Sequence, residues 1–161
     1  FTDQDEKRLL YELSQMSNPN HLRLTKLALI TGFRRSELLS LNWRNIDLKN
    51  NRLHIQRKEC AARGSSSSMR MVPLPHKAKE LLKSFKSKEG SVINLTKGSA
   101  RNGFDRARKK AGLENLRFHD LRHIAISRMW SSGMNALEIS ACSGHRDIKM
   151  LMRYSHYQLS F

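Results

Sequence analysis

The feature that most constrains the fold of this chain is a change of hydrophobic period in its middle. On either side of residues 46–74, apolar residues recur every three or four positions, the spacing that lines one face of a helix. Leu9, Leu10 and Leu13 do so within Asp3–Met16, Leu24, Leu27 and Ala28 within His21–Thr31, and Ala78, Leu81, Leu82 and Phe85 within His76–Lys88. Between them the period falls to two: Leu53-His54-Ile55 alternates, and Met71-Val72 runs into Pro73. Short strands are therefore predicted at Ile46–Leu48, Arg52–Lys58 and Arg70–Leu74. Further helices are predicted at Ser36–Leu41, Ser99–Ala111, His119–Trp130, Asn135–Cys142 and Asp147–Tyr154, with Thr2 or Asp3 as the first N-cap and Gly32 and Gly112 as stops. Cys60–Ser68, ending in four serines, reads as a flexible hairpin tip. The expected class is mainly α with a small three-stranded antiparallel β-sheet.

At 161 residues the chain has room for one domain, so residues 1–161 are read as a single unit. No internal repeat or heptad interrupts it, and no apolar run approaches the roughly 20 residues that span a bilayer. A membrane protein is excluded, as is a secretory signal peptide. Cys60 and Cys142 are too few for a disulfide framework or a cysteine-rich zinc site, and a reducing cytoplasm is the expected location. The first residue is Phe1 rather than methionine, which points to a piece of a longer protein. Charge narrows the partner: Lys and Arg total 30 against 14 Asp and Glu, a formal +16. The excess is concentrated, with a net +9 from Lys49 to Lys88 and +6 from Lys97 to Arg128. A polyanion, and nucleic acid before anionic lipid, is the partner such a surface fits.

Four local patterns can carry chemistry. Thr31-Gly32-Phe33-Arg34-Arg35-Ser36-Glu37 puts an arginine pair at a helix-to-helix junction, where a guanidinium can reach into a cleft; solvated arginines are the plain alternative. His119-Asp120-Leu121-Arg122-His123 sets His119 and Arg122 on one helical face, an imidazole beside a fixed cation. His119 and His123 also have the spacing of a helical metal pair, but Arg122 on that face opposes a divalent ion and no third ligand is evident. Ser143-Gly144-His145 places a histidine after a glycine turn, where a structural hydrogen bond is the ordinary role. Met152-Arg153-Tyr154-Ser155-His156 sets a tyrosine among cations, whereas Tyr11 and Tyr157 read as filler.

In this order, with Tyr154 nine residues after His145, the four patterns resemble the catalytic domain of the tyrosine recombinases, the bacteriophage-integrase type of site-specific DNA recombinase. The resemblance runs along nearly the whole chain. It implies that Arg34, rather than Arg35, is the first catalytic arginine, that His119 and Arg122 form the His-x-x-Arg pair, that His145 is the second histidine, and that Tyr154 is the nucleophile. The family's lysine sits at a hairpin tip before a Val-Pro-Leu strand. Val72-Pro73-Leu74 is present, but Gly64–Ser68 holds no lysine, so Lys58 takes the role, with Arg57 and Arg63 as rivals.

The chemistry implied is attack of the Tyr154 oxygen on a DNA phosphodiester, giving a 3′-phosphotyrosyl intermediate and a free 5′ hydroxyl. No cofactor and no metal is called for, because the bond energy stays in the phosphotyrosine. Arg34 and Arg122 are expected to offset the charge that gathers in the transition state and to favour the phenolate. His119 is the candidate to take the phenol's proton, Lys58 to protonate the leaving oxygen, His145 to bond a non-bridging oxygen, and Glu37 to brace Arg34 or a neighbouring helix rather than act as a base. Rival readings are a type IB topoisomerase, a non-catalytic DNA-binding relative and, more remotely, a metal-dependent phosphohydrolase. The family's N-terminal DNA-clamping domain is not part of this sequence. The expected partner is double-stranded DNA, held by a tetramer of the full-length protein on two duplexes, with this domain alone a monomer. A bacterial or phage-encoded, cytoplasmic, DNA-associated protein is implied.

Overall fold

Helix α1 (Asp3–Ser14) starts where the sequence supplies a reciprocal cap. The Thr2 hydroxyl accepts from the Asp5 backbone N–H, and the Asp5 carboxylate accepts from the Thr2 backbone N–H. The computed structural model describes residues 1–56, 69–145 and 147–154. After α1 come α2 (Asn20–Thr31), α3 (Arg35–Leu39), a 3₁₀ turn (Trp43–Asn45), β1 (Ile46–Asp47), β2 (Arg52–Gln56) and β3 (Met69–Pro73). Then α4 (His76–Lys83), α5 (Lys97–Lys110), α6 (Asp120–Ser131), α7 (Ala136–Ser143) and α8 (Ile148–Met152) follow. The three strands form one antiparallel sheet in the order β1-β2-β3, with Ile46 opposite Leu53 and Leu53 opposite Val72. This is the predicted class. The expected hairpin tip at Cys60–Ser68, together with Arg57, Lys58 and Arg63, lies outside the described residues.

The alternation in β2 does what a period of two requires: Leu53 and Ile55 are buried while Arg52, His54 and Gln56 are exposed. Their buried faces join Val72, Leu38, Leu24, Leu27, Ala78, Leu82, Phe104 and Leu121 in the main core. Helix α2 is central to it, packing against α1, α3, α4, α5 and α6. A second, smaller core of Ile126, Met129, Trp130, Ile139, Cys142 and Leu151 holds α7 and α8 onto the end of α6. The site-bearing C-terminal helices therefore rest on one long helix that also faces the main core. Among the described residues, no helix is long and apolar enough to cross a membrane.

Several boundaries differ from the sequence reading: α1 ends at Ser14, α3 is Arg35–Leu39, β3 is Met69–Pro73, α5 starts at Lys97, and α8 is Ile148–Met152, so Tyr154 lies beyond its last helix; α4 and α6 differ as well. Helix α4 ends at Lys83, short of the predicted Lys88, although Phe85 is still buried. Lys88 turns back there, and its ammonium donates to the carbonyls of Lys83 and Phe85 at 3.1 and 2.5 Å, so a cation closes the helix end. Helix α6 begins at Asp120 with His119 as its N-cap residue rather than inside the first turn.

Candidate active site

Helix α2 stops at Gly32, whose φ of +66° admits a left-handed residue without a Cβ penalty. The turn leaves the Gly32 carbonyl facing α6 and makes Arg34 the N-cap residue of α3. Glu37, only 6% exposed, fastens that start: its Oε2 accepts from the Arg34 backbone N–H at 2.9 Å, and its Oε1 lies 3.4 Å from the Arg34 guanidinium. The Arg34 side chain stays 41% exposed. Glu37 thus contacts Arg34 through its backbone N–H and one guanidinium nitrogen.

Arg122, in the first turn of α6, is 3% exposed. One guanidinium nitrogen donates to the Gly32 carbonyl at 2.6 Å, and the other lies 3.0 Å from Nδ1 and 3.3 Å from Nε2 of His145. Burial, and then the nearby Arg34 charge, lowers its pKa to about 10, so it remains a cation at neutral pH. His145 follows Gly144, where α7 ends in a left-handed turn. The Ser143 hydroxyl lies 2.7 Å from its Nδ1, and its backbone carbonyl accepts from the Ser140 hydroxyl. Burial first, and Arg122 second, push its pKa down to about 4, so at neutral pH the imidazole is uncharged and can accept from Arg122.

Tyr154 follows α8 and is half-buried against the second core. Its hydroxyl is hydrogen-bonded to Nδ1 of His123, and the two rings stack with centroids 5.9 Å apart. His119 stands one ring further on, edge-to-face with His123 at 5.0 Å. Burial lowers the His119 pKa, with the His123 and Arg122 charges adding to the effect. From the sequence His123 stands out only as a metal partner, because spacing along α6 does not tell which ring meets a residue 31 positions away. Among the described residues, no group of three or more His, Cys, Asp or Glu side chains gathers as a metal site. The phenol also differs from expectation. Its pKa is raised, because burial outweighs the pull of Arg122 and Arg153.

A further residue escaped the sequence reading. Arg70 on β3, with a side chain 11% exposed, reaches Glu37 Oε1 at 3.3 Å and the carbonyls of Ala141 and Cys142 at 3.2 and 3.1 Å. The signal lay in the alternation. Position 70 shares a face with buried Val72, so a cation stands where the period demands an inward side chain. Lys58 and its rivals Arg57 and Arg63 lie outside the described residues.

Residues 1–160 match the family model described as the phage integrase family. The shufflon-specific DNA recombinase of Escherichia coli is 38% identical over 132 residues, which cover 81% of this chain and 33% of that protein. The integrase of Haemophilus phage HP1 is 30% identical over 155 residues, covering 96% of this chain and 42% of that one. The chain thus spans about a third to a half of the curated relatives it matches. Among solved structures, the catalytic domain of bacteriophage HP1 integrase superposes with a TM-score of 0.78 at 28% identity, over 99% of this chain and 88% of that one. The XerH site-specific recombinase bound to its difH substrate, a pre-cleavage complex, gives 0.70 at 19% identity over 96% and 49%.

Proposed function

Because this chain belongs to the phage integrase family, we propose that it is the catalytic domain of a site-specific DNA recombinase that cuts and rejoins strands through a 3′-phosphotyrosyl intermediate. The supporting observation is the joined set of Arg34, Arg122 and His145, two cations and a neutral imidazole linked through Gly32 and Glu37, with the Tyr154 hydroxyl against the same helix α6. A phosphodiester is already anionic, and its transition state gathers more charge on the non-bridging oxygens. Fixed donors aimed there stabilise that state more than the substrate. Arg122 keeps N–H groups beyond those given to Gly32 and His145, and Arg34 offers most of its fork.

In this mechanism the Tyr154 oxygen attacks phosphorus, and its proton passes to an imidazole of the His119–His123 pair. His123 is the ring it already touches, and a phenol with a raised pKa needs such an acceptor. The P–O5′ bond breaks, and the departing 5′ oxygen takes a proton from Lys58. Neutral His145 has one ring N–H to give a non-bridging oxygen. Strand exchange is the reverse reaction, with a 5′ hydroxyl of a second duplex displacing Tyr154. The full-length protein is proposed to act as a tetramer on two duplexes, with this domain alone monomeric.

Two labelled duplexes, and a supercoiled plasmid, carrying a site that the protein cleaves test the class. Recombinant product joining the two labels supports the recombinase; relaxation of supercoils without exchange assigns a topoisomerase, and binding without either assigns a non-catalytic relative.

A further inference from the structure

Arg34 and His145 come from elements 111 residues apart in the chain, yet a phosphate clamp needs them at a fixed separation. On one side they are joined through α6: His145 to Arg122, Arg122 to the Gly32 carbonyl, two residues from Arg34. On the other side the connection runs through Arg70. Its Nη2 shares Glu37 Oε1 with Arg34, at 3.3 and 3.4 Å. Its Nη1 caps the last carbonyls of α7, the helix whose terminal turn delivers His145. Its guanidinium also lies 5.5 Å from the Phe33 ring centroid, beside Arg34 in sequence. It fills the space beside Gly144 so fully that a Cβ there would meet its Cζ at 2.8 Å.

We propose that Arg70 is a positioning residue of the phosphate clamp: by sharing Glu37 with Arg34 and capping α7, it holds Arg34 and His145 in register for the same phosphate. The inference rests on the function proposed above. The sharing matters for Arg34 in particular. Glu37 Oε1 is divided between the two cations, and the Arg34 side chain, the more exposed of them, keeps 41% of its surface open. Arg70, its side chain 11% exposed, is assigned no contact with substrate.

The test compares Arg70→Met and Arg70→Lys with the parent in the full-length gene product. Single-turnover formation of the covalent adduct is measured on two suicide duplexes: an ordinary one, and one with a methylphosphonate at the scissile linkage, where one anionic oxygen is replaced by methyl. Arg70→Met is expected to slow adduct formation on the ordinary duplex by about 10- to 100-fold, as lost supporting contacts around a site do. Arg70→Lys, which keeps the charge but cannot reach both Glu37 and the two carbonyls, should fall between. On the methylphosphonate, with less charge to clamp, the gap between parent and Arg70→Met should shrink to within about threefold. Equal loss on both duplexes, or no loss on either, overturns the inference while leaving the recombinase reading intact. A parent protein that binds the duplex and forms no adduct overturns that reading, and the inference with it. Thermal melting in parallel identifies an unfolded variant, for which Arg70→Lys supplies the same comparison.

Discussion

Gly144 carries two constraints at once. Its φ is +73°, and the space its Cβ would occupy is taken by the Arg70 guanidinium. Gly144→Ala should therefore cost about 1–2 kcal/mol from the backbone alone, read by denaturant unfolding, and should also slow cleavage because His145 is the next residue. An unchanged melting point would contradict the geometry. At this scale the sequence exposed the matched residues and hid the connections among them. His145, Arg122 and Tyr154 are legible as residue types in order. The contact of Tyr154 with His123, and of Arg70 with Glu37, depends on how α8 and β3 dock, and no local pattern encodes that. Burial is likewise invisible before the core is assembled. Hence the neighbouring cations alone led to an expected phenolate, whereas burial of Tyr154 raises its pKa.

Elements were read well where capping or alternation decides them. Gly32 ends α2, Asn135 caps α7 by accepting from the backbone N–H groups of Leu137 and Glu138, and Leu53 and Ile55 turn inward on β2. The reading failed at α4, where apolar spacing continues to Phe85 but Lys88 folds back to close the helix at Lys83. The connection between β2 and β3 carries the prediction that belongs to this scale. If Lys58 protonates the leaving 5′ oxygen, Lys58→Ala should be slow on an ordinary duplex and recover on one with a 5′-bridging sulfur. A thiolate, whose thiol has a pKa of about 8.5, leaves without a proton. Arg57→Ala and Arg63→Ala should show no such recovery. Recovery with either arginine variant instead would move the general acid to that residue.

Across the whole molecule, the fold keeps His21, His119 and His145 neutral, and burial is the leading cause for each. A histidine whose folded pKa lies below its unfolded value near 6.5 contributes stability above that pH. The contribution is lost as pH falls toward the folded value, which is about 4 for His145. Unfolding free energy should therefore decline from pH 6.5 toward pH 4, and His145→Asn should flatten the decline. The lowered carboxylates Asp5, Asp47, Glu80 and Asp105 add their own losses from about pH 5 downward, so the histidine share is read above that pH. A flat profile between pH 6.5 and 4.5 would contradict the lowered histidine pKa values. The formal charge of +16 belongs to the same scale: binding to duplex DNA should weaken steeply with salt as counterion release is lost. The most direct test of the central claim is covalent trapping on nicked suicide duplexes selected from a library, using the full-length gene product with excess chelator present. The expected result is a 3′-phosphotyrosyl adduct that maps to Tyr154 and disappears in Tyr154→Phe. An adduct on another residue, or DNA-bound protein that never forms one, would contradict it.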